Sequence, residues 1–245
     1  LPAIVMNPTS ATICDGANAN LSASGANFYT WNTTPNQYTA AITVAPIVAT
    51  TYRVTGRDNN GCTASNSVAV TVNPKPNVTI VGVSDICNGA SAILTANNAL
   101  TYSWAPTELN QNITVSPVVN TTYTVTGTDA NACTNTASHA ITVRSAPNVT
   151  VSASSANICL GQSTILTAQN ANTYTWSNGA SGATQMVSPV ATTTYIVTGT
   201  ETSYNCSNTA QVIITVNPLP TINVSASLNS ICDGANTTLT ASSLT

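Results

Sequence analysis

Polar and apolar residues alternate along short stretches of this chain, a pattern typical of strands that bury one face. It is clearest at Thr122-Tyr123-Thr124-Val125-Thr126, where the tyrosine and valine point to one side and the threonines to the other. Turn residues separate such stretches at intervals of roughly 8 to 12 residues. No segment carries an apolar stripe at helical spacing. Between residues 74 and 145 the pattern predicts six strands, at 77–81, 91–96, 102–104, 113–115, 122–126 and 140–143.

One stretch, here called the cassette, occurs four times, at Ile13, Ile86, Ile158 and Ile231. It is Ile-Cys, with Gly two residues and Leu seven residues after the cysteine. The period of 72 to 73 residues suits a small domain. The sequence therefore predicts an all-β tandem array of small antiparallel β-sandwiches: repeat 1 (1–73), repeat 2 (74–145), repeat 3 (146–218) and the start of an incomplete fourth (219–245). Because two strands cannot bury a core, we expect this opening to continue past residue 245 or to pair with another molecule.

Recurring residues predict the core of each repeat. A Tyr-x-Trp pair places each tryptophan 17 residues after its cassette cysteine, and a second tyrosine follows a proline by six residues and precedes a glycine by four. We interpret these residues as packing anchors, and a sugar-stacking ladder of tryptophans is the alternative. The predicted core residues are Trp31, Trp104, Trp176, Tyr52, Tyr123, Tyr195, Leu21, Leu94 and Leu166.

The joints between repeats are short and contain proline, as in Asn73-Pro74-Lys75-Pro76. Because proline stiffens a linker, we expect a semi-rigid series of domains. Only 4% of the residues are charged and the net charge is −3. Four basic residues cannot form a patch for nucleic acid, and no apolar run is long enough to span a membrane directly. Few charges also guard the strand edges, which favours self-association into fibres.

The run from Thr121 to Thr136 and the joint from Val216 to Pro220 resemble the Ig-like or PKD-like repeats of very large Bacteroidetes cell-surface proteins. The resemblance covers essentially the whole chain. It implies an exported protein of adhesive, matrix or gliding-associated type, often exported by the type IX route. It supplies no catalytic or binding residues. Tyr52, Tyr123 and Tyr195 are interpreted as a tyrosine corner of such domains.

Seven cysteines in so regular an array indicate an oxidising compartment. We expect one disulfide per repeat: Cys14–Cys62, Cys87–Cys133 and Cys159–Cys206, which would clip loops at one end of each sandwich. The alternative pairs neighbouring repeats through Cys62 and Cys87, and so on along the chain. For Cys232, either a partner beyond residue 245 or an intermolecular disulfide is expected.

Little in the sequence suggests chemistry. His139 is the only histidine and stands where the other repeats have valine, which makes it a poor general base. The seven acidic residues are scattered, so no metal site is predicted. No cofactor and no set of catalytic residues is predicted. Alternating threonines are interpreted as strand formers on the wet face, with a flat ice-binding face as the alternative. Acceptor motifs for N-glycosylation begin at Asn20, Asn32, Asn77, Asn112, Asn120, Asn148, Asn205, Asn223 and Asn236.

The sequence therefore predicts a secreted or cell-surface protein that is structural or adhesive and not an enzyme. It would form a semi-rigid stalk or the subunit of a surface fibre. Its expected partners are neighbouring repeats, further copies of itself and surface glycans. The alternatives are a glycan- or ligand-binding module, or an accessory region of a larger secreted enzyme.

Overall fold

The computed structural model describes residues 1–106 and 108–244, and in them the chain consists of strands and turns, without a helix. The strands of repeat 1 are β1 (Val5–Asn7), β2 (Ser10–Cys14), β3 (Ala19–Ser24), β4 (Phe28–Trp31), β5 (Ala41–Val44), β6 (Thr50–Arg57) and β7 (Thr63–Asn73). Those of repeat 2 are β8 (Thr79–Val81), β9 (Asp85–Cys87), β10 (Ala92–Asn97), β11 (Thr101–Trp104), β12 (Asn112–Val115), β13 (Thr121–Thr128) and β14 (Thr134–Arg144).

Repeat 3 follows the same plan. Its strands are β15 (Thr150–Ala153), β16 (Asn157–Cys159), β17 (Thr164–Gln169), β18 (Thr173–Trp176), β19 (Thr184–Val187), β20 (Thr193–Glu201) and β21 (Cys206–Asn217). The opening of the fourth repeat contributes β22 (Thr221–Ala226) and β23 (Leu239–Leu244), which pair antiparallel. Large apolar residues of this ribbon are exposed, among them Ile222 and Val224. Whether the opening continues or pairs with another molecule stays a prediction.

Each set of seven strands forms two sheets. In repeat 1 the three-stranded sheet has the order β1-β3-β5 and the four-stranded sheet the order β2-β7-β6-β4. The corresponding orders are β8-β10-β12 with β9-β14-β13-β11, and β15-β17-β19 with β16-β21-β20-β18. β2 and β16 run parallel to the ends of β7 and β21, whereas the hairpin pairs β6–β7, β13–β14 and β20–β21 are antiparallel. The predicted all-β class of tandem Ig-like sandwiches is confirmed.

Alternation along the strands builds the cores. In β3 the side chains of Ala19, Leu21 and Ala23 are buried, while Asn20 and Ser24 are exposed. They pack with Trp31 of the opposite sheet in one apolar cluster. A corresponding cluster surrounds Leu166 in repeat 3. Close packing of this kind is what makes a two-layer sandwich stable.

By its internal contacts the chain divides into two compact units. The first contains Leu1–Ser84 and Ser91–Thr142, and the second contains Asp85–Ala90 and Val143–Thr245. Nearly all of repeat 2 lies in the first unit, whereas its strand β9 and the end of β14 lie in the second. The repeat boundaries at residues 73, 145 and 218 stay a prediction from the sequence period.

Two features of each repeat differ from the sequence prediction. The Ile-Cys of the cassette is itself a short strand, β2, β9 or β16, where the sequence suggested a loop. The last strand is also much longer than expected. In repeat 2 it begins at Thr134, because Thr134–Ser138 pair with β13 although they contain little apolar side chain. Both differences decide where the cysteines lie.

The glycine four residues after the second tyrosine is required by close packing. A Cβ on Gly127 would lie 2.6 Å from Cγ2 of Val78 and 2.8 Å from Cβ of Ala99, and Gly199 has the same surroundings. We expect Gly127→Ala to lower the free energy of unfolding by about 1–3 kcal/mol, because the added methyl overpacks the core. Chemical denaturation measures this loss. The exposed Thr124→Ala on the same strand is the control, and an equal loss in both variants would contradict the packing explanation.

The residue before each hairpin cysteine has a positive φ. It is Gly61 (83°), Ala132 (61°) and Asn205 (57°) in the three repeats. Because an L-alanine is strained there and glycine is not, Ala132→Gly is expected to raise the free energy of unfolding by about 0.5–1 kcal/mol. The reciprocal change, Gly61→Ala, should lower it by a similar amount. Thermal unfolding of the pair measures both signs, and two shifts of the same sign would refute the conformational cause.

Candidate functional site

The most distinctive contacts of the molecule are two disulfides that join successive repeats. Cys14 is bonded to Cys133 and Cys87 to Cys206, with Cα–Cα distances of 5.5 and 5.6 Å. Both pairs are separated by 119 residues. Each bond links the cassette cysteine of one repeat to the cysteine in the last hairpin of the next. We call these bonds staple 1 (Cys14–Cys133) and staple 2 (Cys87–Cys206).

The expected pairings Cys14–Cys62, Cys87–Cys133 and Cys159–Cys206 are therefore wrong. The alternative is right that disulfides join neighbouring repeats, but its pair Cys62–Cys87 is wrong. Cys14 pairs in register with Asn73, the last residue of β7, whereas Cys62 directly precedes its first residue, Thr63. A strand of 11 residues spans roughly 35 Å. A disulfide requires Cα atoms within about 7 Å. The two cysteines of one repeat thus lie at opposite ends of its longest strand.

Parallel pairing positions the cassette cysteines at the end of the sheet where the chain leaves the repeat. The N–H of Asp15 donates to the carbonyl of Asn73 at 2.9 Å, and that of Asn88 to the carbonyl of Arg144 at 2.8 Å. A tight turn follows each cysteine, since its carbonyl accepts a hydrogen bond from the residue three positions on. The cassette glycine adopts the positive φ that this turn requires, which is 75° at Gly16.

An aspartate shapes the hairpins that carry the other cysteines. Oδ1 of Asp129 accepts hydrogen bonds from the N–H groups of Asn131 and Cys133, at 2.8 and 2.9 Å. Asp58 makes the same pair of bonds in repeat 1. Side-chain acceptance of this kind fixes a tight turn. These acidic residues, which look scattered in the sequence, therefore have a structural role.

Charged and aromatic groups surround the joint of staple 2. Nε of Arg144 donates to Oδ1 of Asp85 at 2.7 Å. The guanidinium of Arg144 also lies 4.0 Å from the ring centroid of Tyr204, two residues before Cys206. The ion pair is exposed and so adds little stability by itself. Stacking of arginine on the ring adds a second contact between the end of β14 and the hairpin of repeat 3.

Cys62, Cys159 and Cys232 are not disulfide-bonded and are exposed. Cys62 occupies the hairpin position of repeat 1, while Cys159 and Cys232 occupy cassette positions. Each lacks a counterpart at the 119-residue spacing within positions 1–245.

The recurring tryptophans lie inside the sandwiches. Trp31, Trp104 and Trp176 are 0%, 1% and 2% exposed. Each indole N–H donates to a carbonyl of the loop that follows, namely Thr39, Asn110 and Gly182, at 2.9, 3.0 and 2.9 Å. Buried in this way, they leave no ring face for stacking on a sugar. Leu21, Leu94 and Leu166 are buried beside them.

The tyrosine corner was assigned to the wrong set of tyrosines. The hydroxyl of Tyr102 accepts from the N–H of Ala99 and donates to its carbonyl, both at 3.0 Å, and Tyr29 makes the same two bonds to Ala26. The hydroxyl of Tyr174 accepts from the N–H of Ala171 at 2.8 Å. These are the tyrosines of the Tyr-x-Trp pairs. The structure gives no such bond for Tyr52, Tyr123 or Tyr195, of which the first two are half-buried and the third is buried.

One exposed aromatic patch occurs on repeat 1. Phe28 and Tyr38 are 53% and 69% exposed and line a depression of about 340 Å³ with Arg57. The guanidinium carbon of Arg57 lies 5.0 Å from the centroid of the Phe28 ring. This patch was not among the features predicted from the sequence. The sequence feature that marks the patch is the aromatic residue Phe28, since the other repeats have Thr101 and Thr173 at that position.

The remaining predicted positions are dispersed. His139 is half-buried on β14, and its Nε2 lies 3.1 Å from the carbonyl oxygen of Val83. All nine glycosylation acceptor asparagines are exposed. Within residues 1–106 and 108–244 there is no group of three or more His, Cys, Asp or Glu side chains that could hold a metal ion. The same residues contain no helix long and apolar enough to cross a membrane.

Similarity to known proteins is low. No family model and no curated protein matches the sequence. Among solved structures, a Ca²⁺-stabilised adhesin of an Antarctic bacterium is 16% identical with a TM-score of 0.35, over 91% of this chain and 76% of that one. A 1.5-MDa bacterial ice-binding adhesin is 14% identical with a TM-score of 0.32 (89% and 99%). Three N-terminal domains of the outer capsid protein Hoc of bacteriophage RB49 are 15% identical with a TM-score of 0.32 (89% and 99%). At these TM-scores the similarities support no inference about function.

Proposed function

We propose that this chain is a non-catalytic, extracellular structural or adhesive repeat protein that serves as a semi-rigid stalk or as the subunit of a surface fibre. The observation that carries the proposal is the pair of staples. Each connects two successive repeats by a covalent route parallel to the peptide joint. A chain whose joints are doubled in this way resists extension, which is what a stalk or fibre requires.

Two further observations support an extracellular place for the protein. Disulfides persist in oxidising compartments and are rare where glutathione keeps thiols reduced. The surface carries few charges and many Thr, Ser and Asn side chains, so neighbouring molecules repel one another weakly. The resemblance to Bacteroidetes surface repeats agrees with this place and adds type IX export to the proposal.

Extension under force tests the proposal, with the chain tethered near residues 1 and 245. In the oxidised protein, the shortest covalent route from Cys14 to Cys206 crosses both staples and only the 46 residues between Cys87 and Cys133. That route is about 160 Å long when fully extended, against about 670 Å for the 192 residues of the reduced chain. We expect reductant to lengthen this span about fourfold.

Cys62→Ala is the control for the extension experiment, since Cys62 belongs to neither staple and its loss should leave the oxidised length unchanged. If the final length were independent of reductant, the staples would bear no load and the proposed mechanical role would fail.

A second candidate function is glycan binding, favoured by the patch of Phe28, Tyr38 and Arg57. Exposed rings can stack on a sugar face, and a guanidinium beside them can donate hydrogen bonds to the sugar's hydroxyl groups. A glycan array would be compared for the wild-type chain and the double variant Phe28→Ala/Tyr38→Ala, with the exposed Ile47→Ala as control. Glycan binding predicts a loss of at least tenfold in the double variant only. An array without signal would remove this candidate and leave the structural function untouched.

A further inference from the structure

Asparagine is followed directly by glycine at three places in this chain, Asn60-Gly61, Asn88-Gly89 and Asn178-Gly179. In such a pair the backbone nitrogen of the glycine can attack Cγ of the asparagine side chain, because glycine has no Cβ to hinder the approach. All three asparagines are exposed to water. Exposure therefore does not distinguish the pairs, and the hydrogen bonds of the two reacting groups decide which pair can react.

Both reacting groups of the pair Asn178-Gly179 are held by hydrogen bonds. The N–H of Gly179 donates to the carbonyl of Trp176 at 2.9 Å. In the side chain of Asn178, Nδ2 donates to Oε1 of Gln185 at 2.9 Å, and Oδ1 accepts from the N–H of Ala180 at 3.2 Å. Three hydrogen bonds thus oppose the attack of this nitrogen on this side chain.

One of the two reacting groups is held in the pair Asn60-Gly61. The pair lies in the hairpin between β6 and β7, where the N–H of Gly61 donates to the carbonyl of Asp58 at 3.1 Å. The side chain of Asn60 has no hydrogen bond within residues 1–106 and 108–244. Attack at this pair therefore requires the loss of one hydrogen bond.

Neither reacting group is held in the pair Asn88-Gly89. The pair forms the cassette turn of repeat 2, in which the N–H of Ala90 donates to the carbonyl of Cys87 at 2.9 Å. The backbone N–H of Asn88, which takes no part in the attack, donates to the carbonyl of Arg144 at 2.8 Å. In the part of the chain that the structure describes, the N–H of Gly89 and the side chain of Asn88 have no hydrogen bond. The space around Gly89 is also open, since a Cβ built there would have no atom within 4 Å.

We propose that Asn88 is a site of spontaneous modification at the joint of staple 2. The backbone nitrogen of Gly89 loses its proton and bonds to Cγ of Asn88, and the side-chain amide nitrogen takes up a proton and leaves as ammonia. Water then opens the resulting succinimide ring. Opening at one carbonyl gives aspartate, and opening at the other gives isoaspartate, in which the main chain runs through the side-chain carbons. The reaction consumes one water, releases one ammonia and needs no oxidant.

The two products differ in their effect on the cassette turn. Aspartate is accommodated, since repeat 1 has Asp15 at this position in a turn with the same 2.9 Å hydrogen bond, from Ala17 to Cys14. Isoaspartate adds one methylene carbon to the main chain between Cys87 and Gly89, so the turn must deform. Chemical ageing thus acts on the cassette side of staple 2. This inference does not depend on the proposed structural function.

Incubation of the native, oxidised protein in mildly alkaline buffer tests the proposal. Peptide mapping by tandem mass spectrometry localises the gain of one mass unit at each asparagine. Because a net hydrogen bond corresponds to a factor of about five in a rate, Asn88 should be lost about five times faster than Asn60, and Asn178 should be the slowest. In the reduced, denatured chain, where these hydrogen bonds are absent, the three rates should converge.

Gln185→Ala is the matched variant, because it removes one of the hydrogen bonds that hold Asn178. The loss of Asn178 should become about fivefold faster in this variant, while Asn88 keeps its wild-type rate. Circular dichroism checks that the variant is folded, and the comparison of native with denatured wild-type protein needs no variant. Loss of Asn60 or Asn178 in the native protein as fast as that of Asn88 would overturn the proposal. A ranking that is unchanged in the denatured chain would also overturn it, since the fold would then not select the site.

Discussion

Removing staple 1 with Cys14→Ala/Cys133→Ala is expected to lower the free energy of unfolding by about 5 kcal/mol. The bond closes a segment of 119 residues, and in the chain-entropy model the stabilisation grows with the logarithm of that length. Both cysteines are replaced, because a single change would leave a free thiol at Cys133, which is fully buried. Staple 2 remains in this variant, so the effect is that of one bond.

Equilibrium denaturation without reductant measures the loss, and Cys62→Ala is the matched control. Cys62 is exposed and unbonded, so its replacement should change the free energy by no more than about 0.5 kcal/mol. Equal losses in the control and in the double variant would mean that Cys62 has a partner in the folded chain, contrary to the staple arrangement.

Trp104→Ala is expected to lower the free energy of unfolding by about 3–5 kcal/mol. The side chain is 1% exposed, and its truncation leaves a cavity between the two sheets. The carbonyl of Asn110 also loses the hydrogen bond from the indole, which frees the loop between β11 and β12. Trp31→Ala and Trp176→Ala should have similar costs, since each repeat buries its tryptophan in the same way.

Phe28→Ala is the control for this loss. Phe28 is also aromatic and begins the corresponding strand of repeat 1, but its side chain is 53% exposed. Its replacement should change the free energy of unfolding by less than about 1 kcal/mol. A mild effect of Trp104→Ala, comparable with that of Phe28→Ala, would show that the tryptophan is not a core anchor.

Strands with alternating side chains could be predicted from the sequence. β13 was expected at 122–126 and spans 121–128, because Tyr123 and Val125 define its inner face. The cassette strand could not be predicted in this way. It comprises only Asp85–Cys87 in repeat 2, and its formation depends on pairing with the distant end of β14. Short strands held by non-local pairing leave little periodicity in the sequence.

The disulfide error follows from the length of the last strand. A strand limited to 140–143 leaves Cys133 in a loop that could reach back to Cys87. Because β14 begins at Thr134 instead, Cys133 is held at the far end of the sheet. Cysteine spacing along the chain does not reveal at which end of a sandwich each cysteine lies. The feature of the sequence that indicates the early start of the last strand is the alternation just after each hairpin cysteine, where Thr or Ser recurs at every second position.

Digestion with trypsin of the denatured, unreduced protein tests the staples most directly. After alkylation of free thiols, cleavage at Arg53, Arg57 and Arg144 gives three large peptides, 1–53, 58–144 and 145–245, because Lys75 precedes a proline and resists cleavage. The staples predict that all three stay joined until reductant is added. Release of 145–245 without reductant would indicate disulfides within each repeat, and release of 1–53 would indicate bonding of Cys62 to Cys87. Either release would contradict the staple arrangement.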